Sequence, residues 1–413
     1  MDIPKMVKIR QAFDARHITD IEGAVAEQLE SLRLESVKGA SIAIAVGSRG
    51  ISNIDRIVRS TVLYIKQQGG SPFIVPAMGS HGGATAEGQK QLLAGYGITE
   101  ELIGAPVRSS MQAVELPQGD LENRVYMDKI AYEADAVIVI NRVKIHTDFH
   151  GPTESGLIKM CVIGLGKHKQ ALEIHKYGVY GLRELIPKTA RQVLKSGKII
   201  AGIGIVENAY DETMLIKALR PSEFECEEKK LLDVCRTNMP SLPVTRLDIL
   251  AVDRVGKNIS GTGIDTNIIG RIRIGSEKEP ESPYIKNIVF SDITEESHGN
   301  AVGIGLGDFI TRKLFEKIDF KATYENVITS TFIERGKIPL IADNDRQALE
   351  YALRMCRSVS TDSIRMIRIK DSLHLGEMYV TSPVLEEIKD KANIEIAGEF
   401  VDITDASGEF ISF

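Results

Sequence analysis

Three short apolar runs, SIAIAV (Ser41–Val46), PFIVPA (72–77) and ADAVIVI (134–140), recur between stretches of helical periodicity. Runs without polar alternation fit strands buried on both faces, and such strands occur where helices cover both sides of a parallel sheet. The spacing predicts helices over 53–68 and 84–96, with further strands over 198–206 and 247–252 and helices over 180–195 and 223–237. A chain built this way winds into an α/β sheet whose strands end along one carboxyl edge, where ligands of open α/β folds bind.

The segment NMPSLPVTR holds two prolines and little periodicity, so the main domain boundary is placed there. Beyond it, 285–290 and 363–369 read as strands and 309–318, 345–356 and 383–392 as helices. The expected architecture is therefore two α/β domains. A larger N-terminal domain, 1–242, carries a wound and mostly parallel sheet, and a smaller C-terminal domain spans 243–393. The tail, 394–413, is free to pack back on the first domain, and the active site is expected in the cleft between the two. No fixed-period repeat or low-complexity tract points to a solenoid or a disordered scaffold.

The 413 residues carry 57 acidic and 51 basic side chains, a formal charge of −6, and no Lys/Arg-rich block. Nucleic acid as a partner is excluded on that ground, because phosphate neutralisation needs a concentrated basic face. No apolar run approaches the roughly 18 residues of a membrane span, and the start lacks the apolar stretch of a secretion signal, so a cytoplasmic protein away from membranes is expected. Cys161, Cys226, Cys235 and Cys356 match neither paired CxxC zinc spacing nor a dense disulfide framework. They read as reduced, mostly buried thiols.

Histidine is scarce and unevenly placed: of eight, His146, His150, His168 and His175 fall within thirty positions. Imidazole is the usual acid/base near neutral pH and the commonest metal ligand. His81 stands in the loop GSHGGAT after the second apolar run. Its glycines let backbone N–H groups approach an anion, although the loop has neither GxGxxG spacing nor the P-loop lysine. Arg49, in VGSRG, leaves the neighbouring strand at the same edge, and a guanidinium there suits capture of a carboxylate. His146 leaves the third run. The HxxxH formed by His146 and His150 lacks the zinc-protease glutamate and runs at once into Gly151-Pro152. Lys159, in LIKMCVIG, is either a snorkelling side chain or a desolvated, nucleophilic amine. His168 and His175 lie two helical turns apart, on nearly one face of a helix.

Together VGSRG, GSHGG and HTDFHGPTESGLIKMCVIGLGKHK…H resemble the nickel-pincer lactate racemase family of 2-hydroxyacid racemases and epimerases, over at least 46–175. In that family a lysine is joined as a thioamide to a pyridinium-3,5-bisthiocarboxylic acid mononucleotide, which grips nickel through S, C and S, and a histidine completes the square plane. The resemblance implies that the N-terminal domain anchors this cofactor, covalently on Lys159, with His175 as the nickel ligand. Ser48, Gly79, Ser80, Gly82 and Gly83 would lie along the cofactor. His81 and His146 would be the alternating acid/bases and Arg49 the carboxylate contact. In the second domain DRVGKNISGTGIDTN resembles a divergent branch, which implies substrate contacts from Lys257, Asn258 and Asp265.

Two departures bear on the substrate. Val46 stands where lactate-specific members have an acidic residue, and the spacer from His146 to Lys159 is longer and includes Phe149-His150-Gly151-Pro152. A lactate-like, dicarboxylic or sugar 2-hydroxy acid is therefore the expected substrate, and proteins that build the cofactor are the expected maturation partners. Homo-oligomer formation is left open. A nicotinamide-dependent 2-hydroxyacid dehydrogenase and a non-catalytic metabolite or nucleotide sensor are the rival readings. The absence of GxGxxG weighs against the first.

Overall fold

The structure, a computed structural model, describes residues 2–34, 37–48, 50–357 and 360–413. Its strands are β1 (Met6–Gln11), β2 (Ser41–Val46), β3 (Ser71–Pro76), β4 (Ala113–Leu116), β5 (Val125–Asp128), β6 (Ala136–Arg142), β7 (Ile199–Glu207), β8 (Thr213–Leu219), β9 (Arg246–Val255), β10 (Tyr284–Ile293), β11 (Phe309–Thr311), β12 (Leu340–Ala342), β13 (Met366–Ile369), β14 (Glu377–Thr381) and β15 (Ile394–Ile396). The chain divides into two compact units, Asp14–Met239 and the segment up to Phe13 together with Pro240–Phe413.

In the unit Asp14–Met239 five strands run in the order β3-β2-β6-β7-β8. The first four are mutually parallel and β8 closes the edge antiparallel to β7. From Ile42 to Val46 every residue of β2 is buried, as are Ala136–Ile140 of β6. Helices Ile21–Leu32 and Ile54–Gln67 pack their apolar stripes on one face of this sheet. Helix Ala86–Gly95 starts at Thr85, whose hydroxyl accepts the Gly88 N–H at 3.0 Å. The helix expected over 180–195 is interrupted by a π turn, Gly181–Leu185, just before Pro187. A proline lacks the N–H and its ring crowds the carbonyl one turn back, so the backbone widens there.

The other unit has an eight-stranded sheet, β12-β11-β10-β9-β13-β14-β1-β15. Five strands from β12 to β13 are parallel, and β14, β1 and β15 add antiparallel. Here the division differs from 1–242 and 243–393. The chain start pairs Met6 with Thr381 and also with Val401, so both termini belong to this unit, the tail 394–413 included. Burial drives that placement, since Met6, Val7 and Ile9 are fully covered in the sheet. The helix expected over 309–318 begins instead as β11, because Phe309-Ile310 are buried between β10 and β12. Thr311 then caps a short helix through the Leu314 N–H at 3.2 Å.

All four cysteines are free; Cys161 and Cys356 are buried and Cys226 is exposed. Among the described residues no helix is long and apolar enough to cross a membrane.

Candidate active site

The parallel register lines up the ends of three strands: Val46 of β2 faces Pro76 of β3 and Ile140 of β6. Neighbouring strands stand about 4.8 Å apart, so the chains leaving β3 and β6 on either side of β2 begin about 10 Å from each other. His81 follows β3, His146 follows β6 and Ser48 follows β2. Gly47 makes the close approach at the exit of β2 feasible. A Cβ there would lie 2.7 Å from Asn141 Oδ1 and 2.9 Å from Met160 Cε.

The GSHGG loop is held from inside. Gly82 has φ +65°, and a Cβ on it would lie 2.6 Å from the Gln89 backbone nitrogen. Buried Gln89 donates from Nε2 to the carbonyls of Gly79 (2.9 Å) and His81 (3.2 Å). Its Oε1 accepts from Lys167 Nζ at 3.2 Å. Lys167 also donates to the Pro76 carbonyl and pairs with Asp128 at 2.9 Å, both side chains fully buried. Burial lowers the Lys167 pKa and Asp128 opposes that shift. With the loop so fixed, Ser48 Oγ meets His81 Nδ1 at 2.5 Å and orients the imidazole.

The segment after β6 folds back on itself: Lys144 and Ser155 exchange backbone hydrogen bonds of 2.7 and 3.2 Å, and Asn141 Nδ2 donates to the Gly156 carbonyl at 2.9 Å. Inside the loop lies Glu154, its side chain without exposure. It accepts the amides of His146 (2.6 Å) and Gly151 (3.1 Å) and the Arg236 guanidinium (2.6 Å), with His150 Nδ1 3.4 Å away. Burial works to raise its pKa. The bonds from His150, the His146 amide, Arg236 and the Gly151 amide outweigh it and hold the carboxyl below the usual range.

Lys159 ends the short helix Leu157–Lys159 and precedes a π turn, Met160–Gly164. Its Nζ lies 2.8 Å from His146 Nε2, and His146 Nδ1 accepts the Asp148 amide at 3.1 Å. Whether Nζ or Nε2 is the donor of that contact depends on the imidazole tautomer. Phe149 packs against the imidazole at a centroid distance of 4.6 Å. His175 closes the helix Lys167–His175 and is exposed. Desolvation lowers its pKa, the Lys159 charge adds to the lowering and Asp148 opposes it, so the ring favours the neutral form and feels both neighbours.

His146, Lys159 and His175 thus share one neighbourhood, and His81 and Ser48 form a pair on the adjoining strand ends. Gly79, Ser80 and Gly83 lie in the same loop as His81. His168 and His150 are exposed. Arg49 lies outside the described residues. Lys257, Asn258 and Asp265 belong to the other unit, where their side chains hold their own loop. Lys257 Nζ donates to the Gly261 carbonyl at 2.8 Å, Asn258 Oδ1 accepts from Thr294 at 2.6 Å, and Asp265 accepts the Asn267 N–H at 2.9 Å. Sequence reasoning missed Glu154, Lys167 and Gln89, and also Glu228, which accepts the Ile158 N–H at 2.9 Å. Lys167 alone left a trace, as a lysine in the glycine-rich GLGKHK.

A family model described as a domain of unknown function, DUF362, matches residues 49–237. No curated protein matches the chain. Among solved structures the chain is similar in fold to the lactate racemase apoprotein from Thermoanaerobacterium thermosaccharolyticum. The identity is 13% and the TM-score 0.50, over 89% of this chain and 98% of that one.

Proposed function

We propose that this chain is a racemase or epimerase that inverts the α-carbon of a 2-hydroxy acid, using a nickel-pincer nucleotide carried on Lys159. The observation that carries the reading is the pairing of the Lys159 amine with His146 at 2.8 Å in a segment that also brings His175 near. Similarity of fold to a lactate racemase apoprotein supports it at the level of architecture.

The residues fit the group. Lys159 is a partly exposed amine within hydrogen-bond reach of His146, open to an acylating group. His175 is biased toward neutral imidazole, the form that ligates metal. Among the described residues no three His, Cys, Asp or Glu side chains are arranged to hold a metal, so nickel at His175 would take its other donors from the bound group. When bound, the group supplies a nickel centre with soft donors and a ring able to accept hydride.

The chain's own work is positional and acid–base. His81 and His146 leave strands on opposite sides of β2, which suits them to the two faces of one small substrate. One takes the hydroxyl proton as the α-carbon loses hydride, and the other returns a proton after the face has changed. Ser48 meets His81 at Nδ1, so the exchange is assigned to the other ring nitrogen. Acylation of Lys159 would replace the amine that His146 Nε2 faces at 2.8 Å. Arg49 binds the carboxylate in this scheme.

The test is inversion itself. Chain made alongside the cofactor-building proteins is given single enantiomers of lactate, malate-like and sugar 2-hydroxy acids, and the product is resolved by chiral chromatography. Inversion is expected, with His81→Ala and His146→Ala each slower by about 10²–10⁴-fold. Net oxidation that depends on added nicotinamide, without inversion, would contradict the reading.

A further inference from the structure

One helix, Phe224–Asn238, holds the segment bearing Lys159 and His146 at two points. Near its start, fully buried Glu228 accepts the Ile158 N–H at 2.9 Å and also the Leu157 amide. These are first-turn amides of the short helix that ends in Lys159, which has no N–H partners of its own there. Gly156 allows the approach, since a Cβ on it would lie 2.5 Å from Glu228 Cδ. Two turns later Arg236 donates to Glu154 at 2.6 Å and to the Gly151 carbonyl at 3.0 Å. Glu154 passes that hold to the His146 amide at 2.6 Å. Both partners of the 2.8 Å contact between Lys159 and His146 therefore hang from a single rigid element.

We propose that Glu228 and Arg236 are positioning residues whose task is to set the distance between the Lys159 amine and the His146 imidazole. The inference rests on Lys159 being the reactive amine. Neither residue touches the reacting atoms. Glu228 Oε2 remains an acceptor in either protonation state, so the hold does not depend on its charge. A displacement of about 1 Å at either end would take the pair beyond hydrogen-bond reach.

The experiment labels the bare chain with an acetylating ester at near-neutral pH and follows Lys159 by peptide mass mapping. It uses the parent and the His146→Ala background. With His146 Nε2 placed to take the proton that the attacking amine sheds, Glu228→Leu and Arg236→Gln are each expected to slow Lys159 acetylation about fivefold, the equivalent of the ~1 kcal/mol of one hydrogen bond. In the His146→Ala background neither should slow it further, because the contact they set is already gone. Glu228→Gln, which keeps an acceptor, should restore the parent rate. Glu225→Gln, on the same helix but paired with Arg191, should leave the rate unchanged. An equal fold-change in both backgrounds, or none in the parent, overturns the proposal. If Glu228→Leu does not fold, Arg236→Gln decides. Because the bare chain is labelled, failure of the racemase reading would leave this result standing.

Discussion

Glu228→Gln should change how stability depends on pH. Burial pushes the Glu228 carboxyl up to about 7 from an ordinary value of 4.5, only partly offset by the Ile158 and Leu157 amides. Its Oε1 is buried without a hydrogen-bond partner. In the unfolded chain the group ionises near 4.5, so between 4.5 and about 7 the folded state binds more protons than the unfolded one. Stability therefore falls as pH rises through that window and levels off above it. At about 1.4 kcal/mol per pH step the loss amounts to about 3 kcal/mol. Glutamine has the same shape and no proton to lose. The variant should match the parent near pH 4 and exceed it by about 3 kcal/mol above pH 7. The chain has no tryptophan, so urea unfolding is best followed by far-ultraviolet circular dichroism at a series of pH values. Parallel curves for the two proteins across the window would refute the assignment of a raised carboxyl to Glu228.

Glu154→Gln removes the charge to which Arg236 and two amides converge, and should cost about 2–4 kcal/mol at neutral pH. Since the Glu154 carboxyl sits below its usual range, its contribution is present above about pH 4.5 and fades as pH falls through its folded pKa, so the gap between variant and parent should close in acid. Lys167→Met leaves Asp128 buried and unpaired and should lower stability by about 3–5 kcal/mol in urea titrations, with Asp128→Asn in the same chain recovering much of it. His175→Ala should lose nickel from matured protein, measured by plasma mass spectrometry, while His168→Ala retains it. Equal retention in both would remove His175 as the ligand.

The parts of this architecture written locally were readable from the residues alone. The all-apolar runs that became β2, β3 and β6 specify buried parallel strands without reference to anything distant, and the helix Asp345–Cys356 announces itself by its period. The approach of Lys159 to His146 was not among them, because it depends on the segment folding back through Lys144 and Ser155, which no local pattern announces. What else escaped depends on residues far apart in the chain. Nothing near Met6 says that it will pair with Thr381. Nothing in FECEEKK distinguishes Glu228, which reaches Ile158 across the fold, from Glu225 and Glu227, which stay at the surface. A buried acid inside a run of acids carries no signature until its partner is known. The short β11 was misread for a related reason: three residues between two strands have no period to show.

In the proposed function Lys159 carries the chemistry. The most direct test is proteolytic peptide mapping of a preparation that inverts a 2-hydroxy acid. Added mass of a nucleotide-derived acyl group is expected on Lys159, with every other lysine bare. An active preparation in which Lys159 is unmodified, or in which the group sits on another lysine, would contradict it.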